Sequence, residues 1–386
     1  MQKSRNKKGI GIIKNITLVD MPLRITVFIL LGLGLIMVLS ASAPSALATY
    51  SNSYKNFFTQ LKATGIGLLL MVIAIEFDYT KLKKFYKVIY VLSILILFSV
   101  LVPKLGVESN GARRWIKLGS IQFQPSEITK IGLIISLAGY YTDDRINHNN
   151  FMNCVFIPLL LAGVPVILLL LIQNHLSAGA VIGIVSLIII IMSGNMKGYV
   201  LRTTGIGAIF ASAYLLYKKA NSSEKSFRAN RIDAWLHPLE NASGTAYQTT
   251  QGLYAIGSGR LFGVGIGNSK QKYSYIPEAH NDFIFAIIAE ELGFVGCIFV
   301  ISLFIIFTVR GIIISMRAKD MFGSLVAIGI TSLIAIQAIL NIAVVTNSIP
   351  NTGISLPFLS YGGTSLIILL ISVGILLSIS KQENKI

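Results

Sequence analysis

Runs of about twenty apolar residues recur along the chain, and a helix needs ~20 such residues to cross the ~30 Å hydrocarbon core of a bilayer. No other feature narrows the possible folds so far. With 54% of 386 residues hydrophobic and only 13% charged, a single soluble domain is excluded. Ten helices are expected, starting near Ile25, Phe57, Leu82, Ser126, Asn153, Ala178, Leu201, Asp282, Met321 and Tyr361. The expected fold class is therefore all-α, a polytopic membrane protein with ten transmembrane helices. Its parts are a basic N-terminal segment (1–24), a ten-helix membrane domain (25–380) and a short tail (381–386). The start MQKSRNKKG, an apolar run and SASAPSALA imitate a secretory signal. The apolar stretch continues to Ala48, however, and later spans depend on it for orientation, so it is read as an uncleaved first span. Cys154 and Cys297 fall in or beside apolar runs and are expected as free, buried thiols.

The 33 Lys and Arg outnumber the 16 Asp and Glu, for a net charge of +17. In a soluble protein that excess would suggest nucleic acid, but inner loops of membrane proteins are themselves rich in Lys and Arg. Over half of the cations fall on the N-terminal segment, the tail and alternate loops, among them Lys81, Lys83, Lys84 and Lys87. That pattern orients the chain N-in and C-in, and no nucleic-acid partner is called for. The other cations gather on the outer side. Lys104, Arg113, Arg114 and Lys117 share the second outer loop with one acid, Glu108, and Lys218, Lys219, Lys225, Arg228, Arg231, Arg260, Lys270 and Lys272 lie in or beside the long loop 218–281 between spans seven and eight. Long loops escape the orientation rule. A short outer loop with four cations does not, and it points to an anion at the outer surface, lipid headgroups being the simplest.

Within the long loop, GSGRLFGVGIGNS places glycines at 257, 259, 263, 265 and 267, too closely for a stable helix interior. It is either a flexible loop on the membrane or a run of backbone N–H groups able to approach phosphate. Ionisable residues in or at the spans are functional candidates: Glu127, Lys130, Asp282, Glu290 and Glu291. Glu127 and Lys130 share one helix face after Pro125. Asp282, flanked by Glu278 and His280, is either a helix cap or a boundary carboxylate able to take a proton as general base. Glu290 and Glu291 are expected roughly 12 Å deeper, at ~1.5 Å per residue, with Lys130 as their partner. Pro350, Gly353, Pro357, Gly362 and Gly363 make 346–365 a kinked or re-entrant segment. Two readings stay open on these residues alone: an enzyme acting on an anionic lipid-linked substrate, or a transporter of an anionic solute.

The blocks NGARRWIKLGSIQFQPSEITK, YQTTQGLYAIGSGRLFGVGIGNSKQKYSYIPEAHNDFIFAIIAEELGFVG and NTGISLPFLSYGGTSL resemble, in order and spacing, the signature blocks of the SEDS family (shape, elongation, division and sporulation). The second block is more similar to the division and sporulation members than to the elongation member. The resemblance implies a peptidoglycan glycosyltransferase that polymerises lipid II, the undecaprenyl-diphosphate-linked disaccharide pentapeptide, into β-1,4-linked glycan at the outer face of the bacterial cytoplasmic membrane, at the division septum. The implied partners are a class B penicillin-binding protein, which is the transpeptidase, and other divisome proteins. The family's catalytic Asp falls on Asp282. Substrate-binding positions fall on Arg114, Trp115, Gln124, Ser126, Glu127, Lys130, Ser258, Gly259, Lys272, Glu278, His280, Ser360, Tyr361, Gly362 and Gly363. A divalent cation, Mg2+ or Mn2+, could share the work of offsetting the diphosphate; no organic cofactor is implied. The chain departs from the family pattern at His175, where QNHLSA (173–178) replaces an acid, at Arg260 in place of a glycine, and at Asn281 in place of threonine. A lipid II flippase, an elongation polymerase and a non-catalytic division scaffold are the alternatives.

Overall fold

The structure, a computed structural model, describes residues 19–382 except 195–233 and the loop positions 103–104, 110–111, 120, 149, 241, 243, 245 and 274. The expected seventh span near Leu201, the outer cations from Lys218 to Arg231 and the basic residues before 19 lie outside the described residues. The helices are α1 (Met21–Tyr50), α2 (Lys55–Glu76), α3 (Thr80–Lys84), α4 (Tyr86–Phe98), α5 (Pro125–Tyr141), α6 (Ile157–Leu171), α7 (Leu176–Met192), α8 (Tyr247–Gly259), α9 (Ile284–Arg317), α10 (Met321–Val345) and α11 (Gly363–Lys381). Among the described residues six helical stretches are long and apolar enough to cross a membrane: α1, α2, Met152–Leu171 (a π-turn leading into α6), α9, α10 and α11. The chain is mostly helical and a multi-pass membrane protein.

Small residues let the helices approach. A side chain at Gly374 on α11 would come within 2.7 Å of the Met71 carbonyl on α2, and one at Gly67 on α2 within 2.5 Å of Leu370. Close backbone contact of this kind is how helices associate where lipid and side chain are equally apolar. One end of the bundle is tied by polar contacts among chain-distant residues. Asp20 pairs with Arg310 and accepts no less from the Leu23 amide as the cap of α1; its own N–H donates to Ser380; Lys381 pairs with Glu76; and Tyr79 donates to Asp320, the cap of α10. This basal end supplies a common reference for heights in the molecule.

The structure corrects the expectation of an all-α chain. The second of the expected outer loops folds as a three-stranded antiparallel sheet, β1 (Gly106–Ser109), β2 (Ala112–Leu118) and β3 (Ile121–Phe123), in the order β1-β2-β3. Its β-branched and aromatic residues, Val107, Trp115, Ile116 and Phe123, suit a pleated, half-buried surface, and Gly119, at φ +62°, makes the turn between β2 and β3. The glycine-rich stretch is also not one loop. Gly257 and Gly259 sit in the last turn of α8, because a Cβ at Gly259 would lie 1.9 Å from the Ala289 carbonyl. Packing overrides helix propensity there.

The largest departure is in α9, which breaks at Gly293 (φ +68°, ψ −168°). Asn341 is bonded to the Asp282 carbonyl and stands 21 residues along α10 from Asp320, about 31 Å at 1.5 Å per residue. Ser40 is bonded to Glu291 and stands 20 residues along α1 from Asp20, about 30 Å on the same measure. Asp282 and Glu291 are thus at one height although nine residues separate them. Residues 284–291 run across the bundle end, and α9 turns to cross only after Gly293. The expected extra depth of Glu290 and Glu291 is a sideways displacement.

The glycine coil after α8 is threaded under that break. Val264 and Gly265 donate their N–H groups to the carbonyls of Glu290 and Glu291, while Phe294 and Val295 donate theirs to Arg260 and Leu261. Gly263, at φ +78°, has the Glu291 carbonyl 2.1 Å from where a Cβ would stand. Gly263→Ala should therefore lower the thermal unfolding midpoint in detergent, by strain of ~1–3 kcal/mol before any clash is counted. Gly257→Ala, where a Cβ meets nothing within 4 Å, should leave it unchanged or slightly raised. Equal melting of the two variants would remove the threaded coil from this account.

Candidate functional site

Asp282 occupies the last turn before α9, and the side chain is not spent on capping. The cap position of α9 is Phe283 and has no side-chain cap bond, Asn281 donates instead to Glu278 at 2.6 Å, and among the described residues none donates to the Asp282 carboxylate. Its main chain, by contrast, is held from three sides. Asn341 donates to the Asp282 carbonyl at 2.8 Å and to the Ile354 carbonyl at 2.6 Å. The Ser360 hydroxyl donates to the Asn281 carbonyl at 2.7 Å, and the Tyr361 N–H to the His280 carbonyl at 2.9 Å. Residues 280–282 are in effect stitched to 354–361. Gly353 (φ +62°) lies under the carboxylate, where an added Cβ would be 3.1 Å from Oδ2. Burial pushes the Asp282 carboxyl up to about 6, with Glu278 adding to the rise and Arg114 opposing it.

The expected re-entrant segment is irregular in the structure. A side chain at Gly34 would stand 2.3 Å from the Phe358 carbonyl. Gly34 is 14 residues along α1 from Asp20, about 21 Å, so the chain dips roughly 10 Å below Asp282 between Ile354 and Tyr361. Gln60 closes it at the top, donating to the Ser360 carbonyl (3.3 Å) and accepting from the Gly362 N–H (3.1 Å). Gly363 opens α11, and Tyr361 meets His280 edge-on, ring centroids 5.4 Å apart.

Arg114 reaches this end through a fault in the sheet. Glu108 opposes Arg113 and Val107 opposes Trp115, so Arg114 is the extra residue of a bulge, a device that re-aims a side chain. Its guanidinium donates to the carbonyls of Gln173 (3.1 Å) and Asn174 (2.8 Å), the latter set by the left-handed backbone of Asn174. Trp115 is half-buried on the same strand. His175, where the family pattern has an acid, accepts from the Ala178 N–H at the start of α7. Its proton is therefore on Nε2, 2.9 Å from the Gln124 side chain. Burial, and then Arg114 and Lys130, hold the His175 imidazole down at about 4. Among the described residues no carboxylate forms a salt bridge with Arg114.

Other expected site residues have structural partners. Lys130 pairs with Glu127 at 2.7 Å, not with Glu290 or Glu291 as expected, because those two lie across the bundle end. Lys272 is buried and pairs with Glu291 at 3.1 Å, also donating to Ser40 and to the Gly267 carbonyl. Glu290 accepts from Ser269 and from the Lys270 N–H. Ser258 donates back to Ala255, and Gly259 lies against α9. Of the glycine-run N–H groups read as able to approach phosphate, those of Gly263, Val264 and Gly265 are already paired. Ser126 is fully buried with a hydroxyl that has no protein partner. Among the described residues no three His, Cys, Asp or Glu side chains gather to hold a metal ion, and no step below is routed through a divalent cation. Cys154 and Cys297 are buried and form no disulfide, as expected. Gln60 and Asn341 were not expected, because uncharged amides in apolar runs escape a search for intramembrane charge.

Comparison with known proteins agrees with this architecture. The pattern of the FtsW, RodA and SpoVE family of cell cycle proteins matches residues 21–385. Stage V sporulation protein E of Bacillus subtilis is 40% identical over 366 residues, covering 95% of this chain and 98% of that protein. The probable peptidoglycan glycosyltransferase FtsW of Trichlorobacter lovleyi is 37% identical, covering 94% and 93%. Among solved structures, a chain from a study of the coordination of polymerization and crosslinking by a peptidoglycan synthase complex superposes with a TM-score of 0.78 at 27% identity, covering 95% of this chain and 99% of that one. The rod shape determining protein RodA of Thermus thermophilus gives 0.69 at 26% identity, covering 95% and 98%. The stitched Asp282 turn, the kinked span and the glycine coil are carried by a member of the FtsW, RodA and SpoVE family, to which this chain belongs.

Proposed function

We propose that the chain is a peptidoglycan glycosyltransferase that polymerises lipid II at the outer face of the cytoplasmic membrane, with Asp282 as general base. The observation that carries this reading is a carboxylate with no hydrogen-bond donor among the described residues, held by its main chain and facing the charge of Arg114. The names of the FtsW relatives support the reaction class. Similarity to both a sporulation protein and FtsW supports a role in septal wall synthesis, in division or sporulation, and likeness to a chain of a peptidoglycan synthase complex supports a class B penicillin-binding protein as partner. The ten-span, N-in and C-in arrangement belongs to the same proposal. The basal end is then cytoplasmic, and the Asp282 end faces outward.

In this reading the acceptor sugar's 4-hydroxyl attacks the anomeric carbon of the donor. The new C–O bond forms as the bond to the polyprenyl diphosphate breaks, with inversion to the β-linkage. Asp282 takes the hydroxyl proton and later returns it to solvent, and the electron pair leaves on the diphosphate. Arg114 offsets that growing charge where water is scarce and such contacts weigh most. A carboxyl raised to about 6 by burial is ionised at neutral pH yet more basic than a solvated one, which is what a base at that pH needs. A flippase would use charged residues along a path through the bundle, whereas Glu127 and Lys130 satisfy each other.

Purified Asp282→Asn should bind lipid II and lose polymerisation by 10²- to 10⁴-fold; extension of glycan at near native rate would overturn the assignment. Arg114→Ala should cost roughly ten- to hundred-fold, as expected of a hydrogen bond between charged groups, while Lys55→Ala should cost little. The native rate should fall as pH drops through about 6. Removing Arg114 should move that limb to higher pH, and Glu278→Gln to lower pH. Because the folded state raises this carboxyl above its ordinary 3.8, its ionisation costs stability progressively from about pH 4 to 6. Asp282→Asn should therefore melt at a higher temperature than the native chain above pH 6, and the gap should close below about pH 4. For the topology, cysteine in place of Lys117 should react with an impermeant reagent in intact cells and cysteine in place of Asp144 should not, both in a chain lacking Cys154 and Cys297.

A further inference from the structure

Two neutral amides on separate helices hold the Asp282 turn and the segment stitched to it: Asn341 touches the turn itself, and Gln60 holds the 360–362 edge of the segment. Asn341, on α10, is 0% exposed and Gln60, on α2, is 1% exposed. Neither can transfer a proton, and each is costly to bury unless its bonds are made. The Asn341 NH2 group divides its donors between the Asp282 and Ile354 carbonyls, so one side chain spans the two strands that meet at the carboxylate. Gln60 does the same on the far edge of the segment, donating to the Ser360 carbonyl and accepting from the Gly362 N–H. Between them, Ser360 and Tyr361 make the stitches to Asn281 and His280. The Asn341 Oδ1 is buried with no partner, so its orientation is set by what the NH2 group holds.

We infer that Asn341 and Gln60 are positioning residues of the glycosyl-transfer site: a two-point mount, on α10 and α2, that fixes the Asp282 turn and the 354–362 segment as one unit. This inference rests on Asp282 being the base. Both amides act through main-chain atoms and leave the carboxylate unengaged, as a proton acceptor requires. The carboxylate's other charged neighbours, Arg114 on β2 and Glu278 in its own turn, shift its proton affinity but do not hold its backbone. A mount on two spans also makes base placement depend on the spacing of α2 and α10 at this end.

The test uses the purified full chain and lipid II. Asn341→Ala removes both donated bonds, and Gln60→Met removes the other mount at similar volume. Each should keep KM for lipid II within about threefold and lower kcat by about ten- to hundred-fold, the loss that ~1 Å of misplacement brings. Each should also move the acid limb of the rate below the native one, toward the ordinary carboxylate range, as water reaches the released turn. A merely structural role would lower the folded fraction without moving KM, kcat per folded molecule or the limb, and that result overturns the inference. So does a native rate in both variants. If Asn341→Ala does not accumulate, Gln60→Met carries the test alone. Asp282→Asn is run beside them: activity there sinks the general-base reading itself, whereas a dead Asp282→Asn beside unaffected mount variants sinks only the mount.

Discussion

Where water is excluded, every backbone N–H and C=O must find a partner inside the protein, and the irregular parts of this molecule exist only because they meet that demand. Breaking α9 at Gly293 releases carbonyls at Glu290 and Glu291 and amides at Phe294 and Val295. The coil from Arg260 to Gly265 takes up all four. The coil in turn can lie there because Gly259 and Gly263 carry no Cβ to collide with the Ala289 and Glu291 carbonyls. The buried Lys272–Glu291 pair with Ser40 and Ser269 closes the same junction through side chains. A charged cluster of this kind is costly to break by removing one partner, and here it joins α1, the coil and the kinked helix.

That junction has a geometric consequence for chemistry. With residues 284–291 laid across the bundle end, Asp282 stays about 31 Å from the basal polar ties, near the start of α5, α7 and α11. Gln124 before α5, His175 before α7 and Gly362 before α11 are joined to the same neighbourhood through Arg114, Ser360 and Gln60. Helix N-termini carry partial positive charge, so the neighbourhood of the carboxylate favours an anion beside a proton acceptor. His175 suits that balance. It caps α7 as a neutral ring, where an acid would have competed for the Arg114 guanidinium.

The many membrane crossings and most of the residues near Asp282 were legible in the sequence, for physical reasons. Membrane helices announce themselves because twenty apolar residues in a row have few other fates. Arg114 stood out as a cation against the charge trend, and Asp282 as an acid at a span boundary. The partners of Glu290, Glu291 and Lys272 were not legible, because depth was inferred by counting along a straight helix and a single glycine at φ +68° turned depth into lateral distance. The glycine run was misread for a related reason: spacing shows that a backbone can bend, not which carbonyls it will meet. Asn341 and Gln60 gave no signal, since a neutral amide among aliphatic residues resembles any tolerated polar residue until its bonds are seen.

Local chemistry along the chain thus determined that it would enter the membrane many times, that a short loop before α5 would carry several cations and that one acid would stand at a span boundary. These follow from transfer free energies that each short segment carries by itself. The tertiary structure alone decided which groups would be consumed and which left free. It paired Lys130 with Glu127 and Lys272 with Glu291, spent the Val264 and Gly265 amides on the α9 kink, and left the Asp282 carboxylate without a hydrogen-bond donor among the described residues while both edges of its mount were fastened. Such allocation depends on contacts between residues 60 and 362, 282 and 341, or 40 and 291, which no local pattern encodes because their geometry exists only once the helices have packed.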